Sequence, residues 1–209
     1  VDRDIDGAQK TANEIGGWAL EADVSSAESV EATLQKMVNE WGAPRVAVSC
    51  AGIAPASRIV GREGPHDLDL FQRVINVNLV GTFNVFKASF DHLNRPGASL
   101  VAITAPEAVR PLHFQAHVCA AKAGVNSLTA TLAVELGPRI RVNGIMPGAV
   151  PTEIMMKALR LGQDDLPKLE RNLRLPAGRL GTPEDLGSAA LFLCSRASSW
   201  ITGEVLSVS

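Results

Sequence analysis

The stretch "ASLVAITAPEAVRPLHFQAHVCAAKAGVNSLTATLAVELGPRIRVNGIMP", residues 98–147, is the part of this chain that indicates its fold most clearly. It contains two short apolar segments, 98–105 and 139–147, that have the length and composition of buried strands. Between them lies 114–136, which is long, rich in alanine and leucine, and helix-forming. Because parallel strands need a long crossover, usually a helix, this order predicts a βαβ unit within a parallel sheet.

The same alternation extends across the 209 residues. Further helices are predicted at 5–15, 25–42, 68–92 and 182–195, and further strands at 17–24, 45–52 and 203–209. Ser25 with Glu28 is expected to form a capping box, and Thr182 is expected to cap the last helix. Short strands alternating with longer helices predict a single α/β domain over 1–209, a doubly wound parallel sheet with helices on both faces.

Two regions depart from this alternation. The stretch 149–180 has only interrupted helical character, and it follows the carboxyl end of a predicted strand, where ligands bind in open α/β sheets. We expect it to be a lid over that site, and a tolerated surface insertion is the alternative. The sequence opens on "VDRDIDGAQK" with no glycine-rich turn before it, so we expect the sheet to lack its first strand and first helix.

The composition argues against several functions. A net charge of −2 with no basic block argues against nucleic acid or an anionic membrane as partner, and no apolar run of about eighteen residues is present. Cys50, Cys119 and Cys194 are odd in number and scattered, which indicates reduced core thiols of a cytoplasmic protein. The four histidines show no zinc-binding spacing, so no metal is expected. Tyrosine is absent from the sequence.

Five motifs carry a family resemblance. They are "SCAG" at 49–52, "VNLVGTF" at 77–83, Lys122, "IRVNGIMPGAVPT" at 140–152 and "GRLGTPEDLGSAALFLCS" at 178–195. In this order and spacing they resemble a short-chain dehydrogenase/reductase over essentially the whole chain, which implies a Rossmann-like fold and a nicotinamide cofactor. The segment 49–68 is also similar to type-II 3-hydroxyacyl-CoA dehydrogenases, which favours acyl-CoA or steroid substrates.

The resemblance implies which residues hold the cofactor. Asp2 would accept hydrogen bonds from the adenosine ribose, which favours NAD because a carboxylate repels a 2′-phosphate, whereas Arg3 beside it keeps NADP open. Lys122 would bond the nicotinamide ribose. The other implied contacts are Asp23, Val24, Ser49, Ala51, Gly52, Pro147, Gly148, Val150 and Thr152. Ordinary structural roles, such as a lysine whose head reaches solvent, are the alternatives.

The resemblance also shows a gap in the catalytic residues. In the family a tyrosine lies four residues before the lysine and a serine thirteen residues earlier still, and here these positions are Val118 and Ala105. Lys122 remains, and so does Asn78, which in the family holds a water of the proton relay. A ketone reductase with this site would be very slow, because general acid catalysis contributes roughly 10²- to 10⁴-fold.

One branch of the family shares this departure. "ITA" at 103–105, followed by "QxHxxxAK" at 115–122, resembles the peroxisomal type of 2,4-dienoyl-CoA reductase, which has an aspartate acid where this chain has Asn78. Without that aspartate, Glu107 is our first candidate for a substitute acid and His117 the second. A structural or solvent-exposed role is the alternative for both. His117 is adjacent to Val118, but one residue along a helix rotates its side chain about 100° away from that of Val118.

Two functions therefore compete. The first is a nicotinamide-dependent oxidoreductase with an atypical site that acts on a small molecule, an acyl-CoA or a similar carbonyl or enoyl compound, through Asn78, Lys122 and Glu107. The second is a catalytically silent family member that serves as a binding or scaffold subunit. In both cases the apolar helices 68–92 and 114–136 are expected to pair in a homodimer or homotetramer, and a monomer core is the alternative.

Overall fold

The computed structural model describes residues 1–61, 64–93 and 95–209. Its helices are α1 (Ile5–Ile15), α2 (Ala27–Trp41), α3 (Leu68–Ile75), α4 (Gly81–Ser89), α5 (Ala116–Leu136), α6 (Glu153–Leu159), α7 (Leu166–Leu173) and α8 (Pro183–Cys194). Its strands are β1 (Val46–Ser49), β2 (Val60–Gly61), β3 (Gly64–Pro65), β4 (Ala98–Ile103), β5 (Ile140–Pro147) and β6 (Val205–Val208). Within the segment 49–68, Arg62 and Glu63 lie outside the described residues.

The main sheet is parallel and has the strand order β1-β4-β5-β6. β4 and β5 pair from Ala98 opposite Ile140 to Ile103 opposite Ile145, and α5 is the crossover between them. The βαβ unit predicted for 98–147 is therefore confirmed. β2 and β3 form a small separate antiparallel hairpin.

Alternate residues of β4 enter two different apolar cores. Leu100 packs on one face of the sheet with Phe86 of α4 and Val125 of α5. Val101 packs on the opposite face with Leu193 of α8. Because side chains alternate across a strand, a strand that is buried on both faces must be apolar at every position, as β4 nearly is. This two-sided burial is the predicted doubly wound arrangement.

Two predictions at the start of the chain are wrong in detail. The segment 17–24 is not a strand, since its pairing is limited to one isolated bridge between Glu21 and Asp2. The helix that follows is capped by Ser26, whose side chain accepts from the Ser29 N–H at 3.2 Å. Ser25 instead donates from its backbone and hydroxyl to Asp23, which moves the helix start one residue along the chain. At the other end, the predicted cap at Thr182 is confirmed.

The two long helices also differ from their predicted extents. The predicted helix 68–92 ends at Ser89 and is interrupted by a π-helical turn, Asn76–Val80, between α3 and α4. The predicted helix 114–136 begins at Ala116, because Phe114 takes the left-handed backbone conformation with φ of 66°. An aromatic residue rarely adopts this conformation, so the entry into α5 is locally strained.

The cysteines are less buried than predicted. Cys50 is exposed and Cys119 and Cys194 are half-buried, and all three are free thiols. The prediction of core thiols is wrong for Cys50, since β1 ends at Ser49 and the chain leaves the sheet there.

Neither a bilayer-crossing helix nor a metal-ligand cluster occurs in the described ranges. No helix there is both long and apolar enough to span a membrane. No three histidine, cysteine, aspartate or glutamate side chains there lie together as metal ligands would.

Candidate active site

The candidate site lies where β1, β4 and β5 end. These strands are parallel, so their carboxyl ends meet at one edge of the sheet, where open α/β sheets bind ligands. Gly52 follows β1, Ile103 ends β4 and Pro147 ends β5. α5 passes beside this edge and carries Lys122 into it.

Lys122 is buried at the centre of this edge. Its side chain is 8% exposed, and its Nζ donates to the carbonyl oxygen of Ile103 at 2.6 Å. Burial lowers the pKa of Lys122 to about 8, and the negative charge of Glu107 acts in the opposite direction. An ammonium has three N–H donors. Among the described residues only Ile103 accepts from it, so the remaining donors are free for a bound molecule.

Asn78 lies next to Lys122 and is held by the π-helical turn. Its Oδ1 accepts from the Ile53 N–H at 2.8 Å, and its Nδ2 donates to the Ile53 carbonyl at 2.9 Å. A Cβ on Gly52 would lie 3.4 Å from this Oδ1 and 3.8 Å from the Lys122 Nζ. The structure therefore brings Asn78, Gly52 and Lys122 together. The water-holding role of Asn78 stays a prediction, since both of its amide atoms bond protein backbone.

The position that holds a tyrosine in the family is apolar and faces the same way as Lys122. Val118 is one helical turn before Lys122 on α5 and is 4% exposed. Ala105 follows the end of β4 and is half-buried. Glu107 lies just beyond it in a 3₁₀ turn, and its charge acts on Lys122. Of the two candidate acids, Glu107 is the one whose charge raises the pKa of Lys122.

His117, the second candidate acid, does not join this group. It is fully buried, and its ring nitrogens bond the Pro55 carbonyl and the ring of His66. The rotation of one residue along α5 places it on a different face of the helix from Lys122, as predicted.

Two residues at the site were not singled out from the sequence. Cys50 lies inside the "SCAG" motif, two residues before Gly52. Thr104 follows β4 and is buried, and its hydroxyl bonds Asn126 Oδ1 at 2.6 Å and the Lys122 carbonyl at 3.4 Å. Thr104 therefore fixes α5 to the strand end. The position of Cys50 within the motif could have identified it. The partners of Thr104 lie 18 and 22 residues further along the chain, so no local sequence pattern indicates these contacts.

The residues implied for the adenosine side lie on the loops before α1 and α2. Asp2 is exposed, and its Oδ1 accepts from the Asp4 N–H at 3.0 Å. Asp23 accepts from the hydroxyl and backbone N–H of Ser25, and these hydrogen bonds lower its pKa. The carbonyl of Val24 accepts from Asn84 Nδ2 at 2.8 Å, which ties this loop to α4.

Ser49 and Ala51 differ in their accessibility. Ser49 is buried, and its hydroxyl donates to Thr82 on α4 at 3.3 Å, so its side chain serves packing. Ala51 is exposed beside Gly52. A cofactor contact through the Ser49 backbone stays a prediction.

The residues implied for the nicotinamide side form the turn after β5. Gly148 donates to the Val208 carbonyl at 2.8 Å, and a Cβ on it would lie 2.5 Å from Ser209 Cβ, so only glycine fits. Val150 is buried, and Thr152 caps α6 by accepting from the Met155 N–H. Pro147 ends β5 at the head of this turn. The turn therefore leads directly from the site edge into 149–180.

Replacing Gly81 by alanine should destabilise the contact between α4 and the 23–24 loop. An added Cβ would lie 2.7 Å from Val24 Cγ2 and 3.0 Å from Val24 Cβ, so we expect the free energy of unfolding to fall by about 1–3 kcal/mol. Gly187 of α8 is the matched control, since its Cβ would meet nothing within 4 Å, and alanine there should add up to about 1 kcal/mol. Urea unfolding of both variants measures the difference, and equal effects would contradict the tight contact.

The residues present fit a nicotinamide nucleotide. A Cβ on Gly52 would touch the Lys122 Nζ at 3.8 Å, so the glycine leaves that side of the ammonium without a covering side chain, and the ammonium keeps N–H donors for hydroxyl oxygens. Asp2 offers an exposed carboxylate that could accept from a ribose. Lys122 and Asp2 are thus the groups that would hold the two riboses.

The chain matches known proteins over its full length. Residues 1–209 match the sequence model of the family described as "Enoyl-(Acyl carrier protein) reductase". The chain is 36% identical over 216 residues to the "Inactive 2-(S)-hydroxypropyl-CoM dehydrogenase 2" of Xanthobacter autotrophicus, covering 100% of this chain and 91% of that protein. It is 33% identical over 194 residues to the peroxisomal 2,4-dienoyl-CoA reductase of Rattus norvegicus, covering 90% of this chain and 63% of that protein.

The fold has a close counterpart among solved structures. The crystal structure of a protein from Brucella melitensis, described as "Short-chain dehydrogenase/reductase SDR:Glucose/ribitol dehydrogenase", superposes with a TM-score of 0.89. The two sequences are 30% identical, and the match covers 99% of this chain and 82% of that one. Sequence and fold agree, and the chain belongs to the short-chain dehydrogenase/reductase family.

Proposed function

We propose that this chain is an NAD(P)-dependent oxidoreductase that acts on acyl thioesters, preferentially on conjugated enoyl or dienoyl thioesters, with Lys122 as its central residue. The observation that carries the proposal is the buried Lys122 ammonium, whose Nζ would lie only 3.8 Å from a Cβ on Gly52, combined with apolar side chains at 105 and 118. Members of the family use NAD(P)(H). The thioester class is supported by the family match and by one relative that is a dienoyl-CoA reductase.

The choice of substrate follows from what the site lacks. Hydride addition to a ketone leaves an alkoxide, which needs a proton donor at that oxygen, and positions 105 and 118 supply no hydroxyl. Hydride addition to a carbon conjugated with a thioester leaves an enolate, whose charge is already delocalised onto the thioester oxygen. A conjugated thioester therefore needs a proton donor less than a ketone does, which suits a site without hydroxyl groups at positions 105 and 118.

The chain's own residues would bind and orient in this reaction. The nicotinamide supplies the hydride when it is bound. Lys122 would hold the ribose hydroxyls through its remaining N–H donors and would add positive charge near the developing enolate. Glu107, in the 3₁₀ turn after β4, is the group we propose to move the proton, and Asn78 keeps Ile53, which follows Gly52, in place.

The segment 149–180 is our proposed lid over the substrate. It contains α6, a 3₁₀ turn and α7, joined to β5 through the Thr152 cap. Ile154, Leu159 and Leu173 on this segment are exposed apolar side chains, which an acyl chain would cover. A homodimer or homotetramer through α3–α4 and α5 is supported by exposed apolar side chains on those helices, among them Phe83 and Val134. A cytoplasmic location stays a prediction.

Titration of the chain with NADH and NADPH tests the proposal. We expect saturable binding in the micromolar range, tighter for NADH because the Asp2 carboxylate repels a 2′-phosphate. The Asp2→Asn variant should narrow the difference between the two nucleotides, and Asp6→Asn, on the exposed surface of α1, is its matched control. Dienoyl-, enoyl- and ketoacyl-CoA would then be screened for nucleotide consumption. An absence of nucleotide binding up to millimolar concentration would overturn the proposal.

A second function is favoured by a specific observation. The same apolar Val118 and Ala105 fit a catalytically silent subunit that binds a protein or nucleotide without turnover, and one relative at 36% identity is named as inactive. Nucleotide binding without consumption of any thioester would support this candidate over the first.

A further inference from the structure

An open cleft lies beside the first turn of α5. It has a volume of about 440 Å³, and residues 57–60 and 111–114 line it on two sides. Ala116 and Cys119 of α5 also line it. Cys119 follows Val118 by one residue, so the cleft lies about 100° around the helix axis from the face that carries Val118. A volume of this size is typical of sites for small organic molecules.

The cleft has an apolar wall that is open to solvent. Ile59 and Val60 line it from the first segment, and Leu112 and Phe114 line it from the second. Each of these side chains is between 44% and 78% exposed. Single exposed apolar side chains are common on proteins, but several that line one concave surface mark a site for a ligand or a partner. The wall therefore favours a bound molecule that has an apolar part.

The ring of Phe114 is held at this wall by a strained backbone. Phe114 has φ of 66°, in the left-handed region that favours glycine over aromatic residues. The Ser57 N–H donates to the Phe114 carbonyl at 2.9 Å, which fixes this backbone against the segment on the other side of the cleft. Strained residues of this kind are concentrated at ligand-binding sites. The strain therefore points to a use for the ring in the cleft.

Arg58 places a positive charge at the edge of the apolar wall. Its guanidinium carbon lies over the Phe114 ring, 4.8 Å from the centroid, in a cation–π contact. In the parts of the chain that the structure describes, the ion pairs are made by Lys87, Lys157 and Arg179, and none involves Arg58. A guanidinium that stacks on a ring presents its fork of N–H donors at its edge, where the two oxygens of a carboxylate match them.

The electrostatic surroundings of the cleft also favour an anion. No aspartate or glutamate is among the described residues that line it. Ala116 is the first residue of α5, a helix of 21 residues, so the positive end of the helix dipole lies at the cleft. Gln115, which precedes it, forms no side-chain cap over the N–H groups of the first turn.

We propose that the cleft binds an amphiphilic carboxylate, whose apolar chain lies on Ile59, Leu112 and Phe114 and whose carboxylate pairs with Arg58. One guanidinium balances one negative charge. A carboxylate therefore fits this cleft better than a phosphate monoester, which carries nearly two charges at neutral pH.

The carboxylate would be the far end of the substrate, and this part of the proposal rests on the proposed function. Ala116 precedes Lys122 by six residues, about 9 Å along the helix axis, so one extended molecule can reach both the cleft and the lysine. The preferred substrates are then thioesters of dicarboxylic acids, which carry a free carboxylate at the end remote from the thioester.

Binding of simple amphiphiles to the chain without nucleotide tests the cleft. Octanoate is the probe, and octanol, which has the same chain without the charge, is the matched ligand. Chemical-shift changes of ¹³C-labelled isoleucine and leucine methyl groups give the Kd and locate the ligand at Ile59 and Leu112. We expect octanoate to bind roughly tenfold more tightly than octanol, as a charge-assisted hydrogen bond allows. Equal affinities, or shifts confined to other methyl groups, would overturn the proposal.

Substitutions of Arg58 separate its charge from the apolar wall. Arg58→Gln should weaken octanoate binding roughly tenfold and leave octanol binding unchanged. Arg58→Lys keeps the charge but lacks the fork of donors, so its affinity should fall between the two. Arg196→Gln, at an exposed position after α8, is the matched control and should bind as the wild type does. Unchanged octanoate binding in Arg58→Gln would overturn the pairing, and tighter binding of octyl phosphate than of octanoate would overturn the assignment of a carboxylate.

Turnover tests the link between the cleft and the substrate. Enoyl-CoA thioesters of equal chain length, with and without a terminal carboxylate, would be compared by kcat/KM in the wild type and in Arg58→Gln. We expect the wild type to prefer the thioester with the carboxylate roughly tenfold, and Arg58→Gln to lose this preference. Equal kcat/KM values in the wild type would overturn the substrate assignment. If neither protein turns over any thioester, the proposed function fails, and octanoate binding still decides the cleft.

Discussion

Replacing Lys122 by methionine should abolish nucleotide-dependent turnover, with a loss of roughly 10²-fold or more. The substitution keeps the length of the apolar stem but removes the buried ammonium at the meeting point of Ile103 and Gly52. Steady-state kinetics with the best thioester substrate would measure the loss, and nucleotide titration would show how much of it is weaker binding. Turnover equal to wild type would contradict the central role of this lysine.

The same substitution should change how stability depends on pH. The pKa of Lys122 falls from 10.5 to about 8 on folding, so between these values the unfolded chain binds more protons than the folded chain. The stability of the wild type should therefore rise from pH 8 to 10.5 relative to Lys122→Met, by about 3 kcal/mol in total. Below pH 8 the difference between the two proteins should be constant.

Urea unfolding at a series of pH values measures this difference. Lys10→Met, an exposed position on α1, is the matched control and should follow the wild type. A constant difference between wild type and Lys122→Met from pH 8 to 10.5 would show that the ammonium is not desolvated in the folded chain.

Restoring the two missing hydroxyls, Val118→Tyr with Ala105→Ser, should create ketone reductase activity. A phenol one turn before Lys122 would supply the proton that the alkoxide needs, and general acid catalysis contributes roughly 10²- to 10⁴-fold. Val118 is 4% exposed, so the larger ring costs about 1–3 kcal/mol of stability unless the cleft opens for it. The rate of NADH oxidation with 3-ketoacyl-CoA measures the gain.

The control for this gain is Val118→Phe with Ala105→Ser. Phenylalanine fills the same volume without the hydroxyl, so any difference between the two double variants reports proton donation alone. Melting temperatures of both proteins would show that the comparison is between folded chains. Equal rates in the two variants, with nucleotide bound in each, would contradict the view that only the acid is missing.

The parallel sheet was predictable because its signals are local. Each strand of the 98–147 unit is an apolar run, and the helix between them is long enough to be the crossover, so composition and order suffice. The cap of α8 at Thr182 was predictable for the same reason, since a capping box depends on residues within one turn. The absence of a full strand at 17–24 could not be predicted in this way. A strand requires a partner, and the residues of the segment itself do not show that its pairing is limited to the bridge between Glu21 and Asp2.

The site was predictable in its members but not in its contacts. The resemblance identified Asn78, Gly52 and Lys122, and the structure places them together. Asn78 lies in a π-helical turn, and its side chain is held by hydrogen bonds to Ile53, which lies on another part of the chain. His117 was correctly expected to face away from Lys122, but its bond to His66 joins residues 51 positions apart, a distance that helical periodicity does not cover.

The buried ammonium of Lys122 has a consequence for what stabilises the folded chain. A charge in the interior lowers stability unless its donors are bonded, and the Ile103 carbonyl accepts from one of its N–H groups. A molecule that binds the folded state alone raises the free energy of unfolding. A ligand that uses the remaining N–H donors of Lys122 would therefore also stabilise the folded chain.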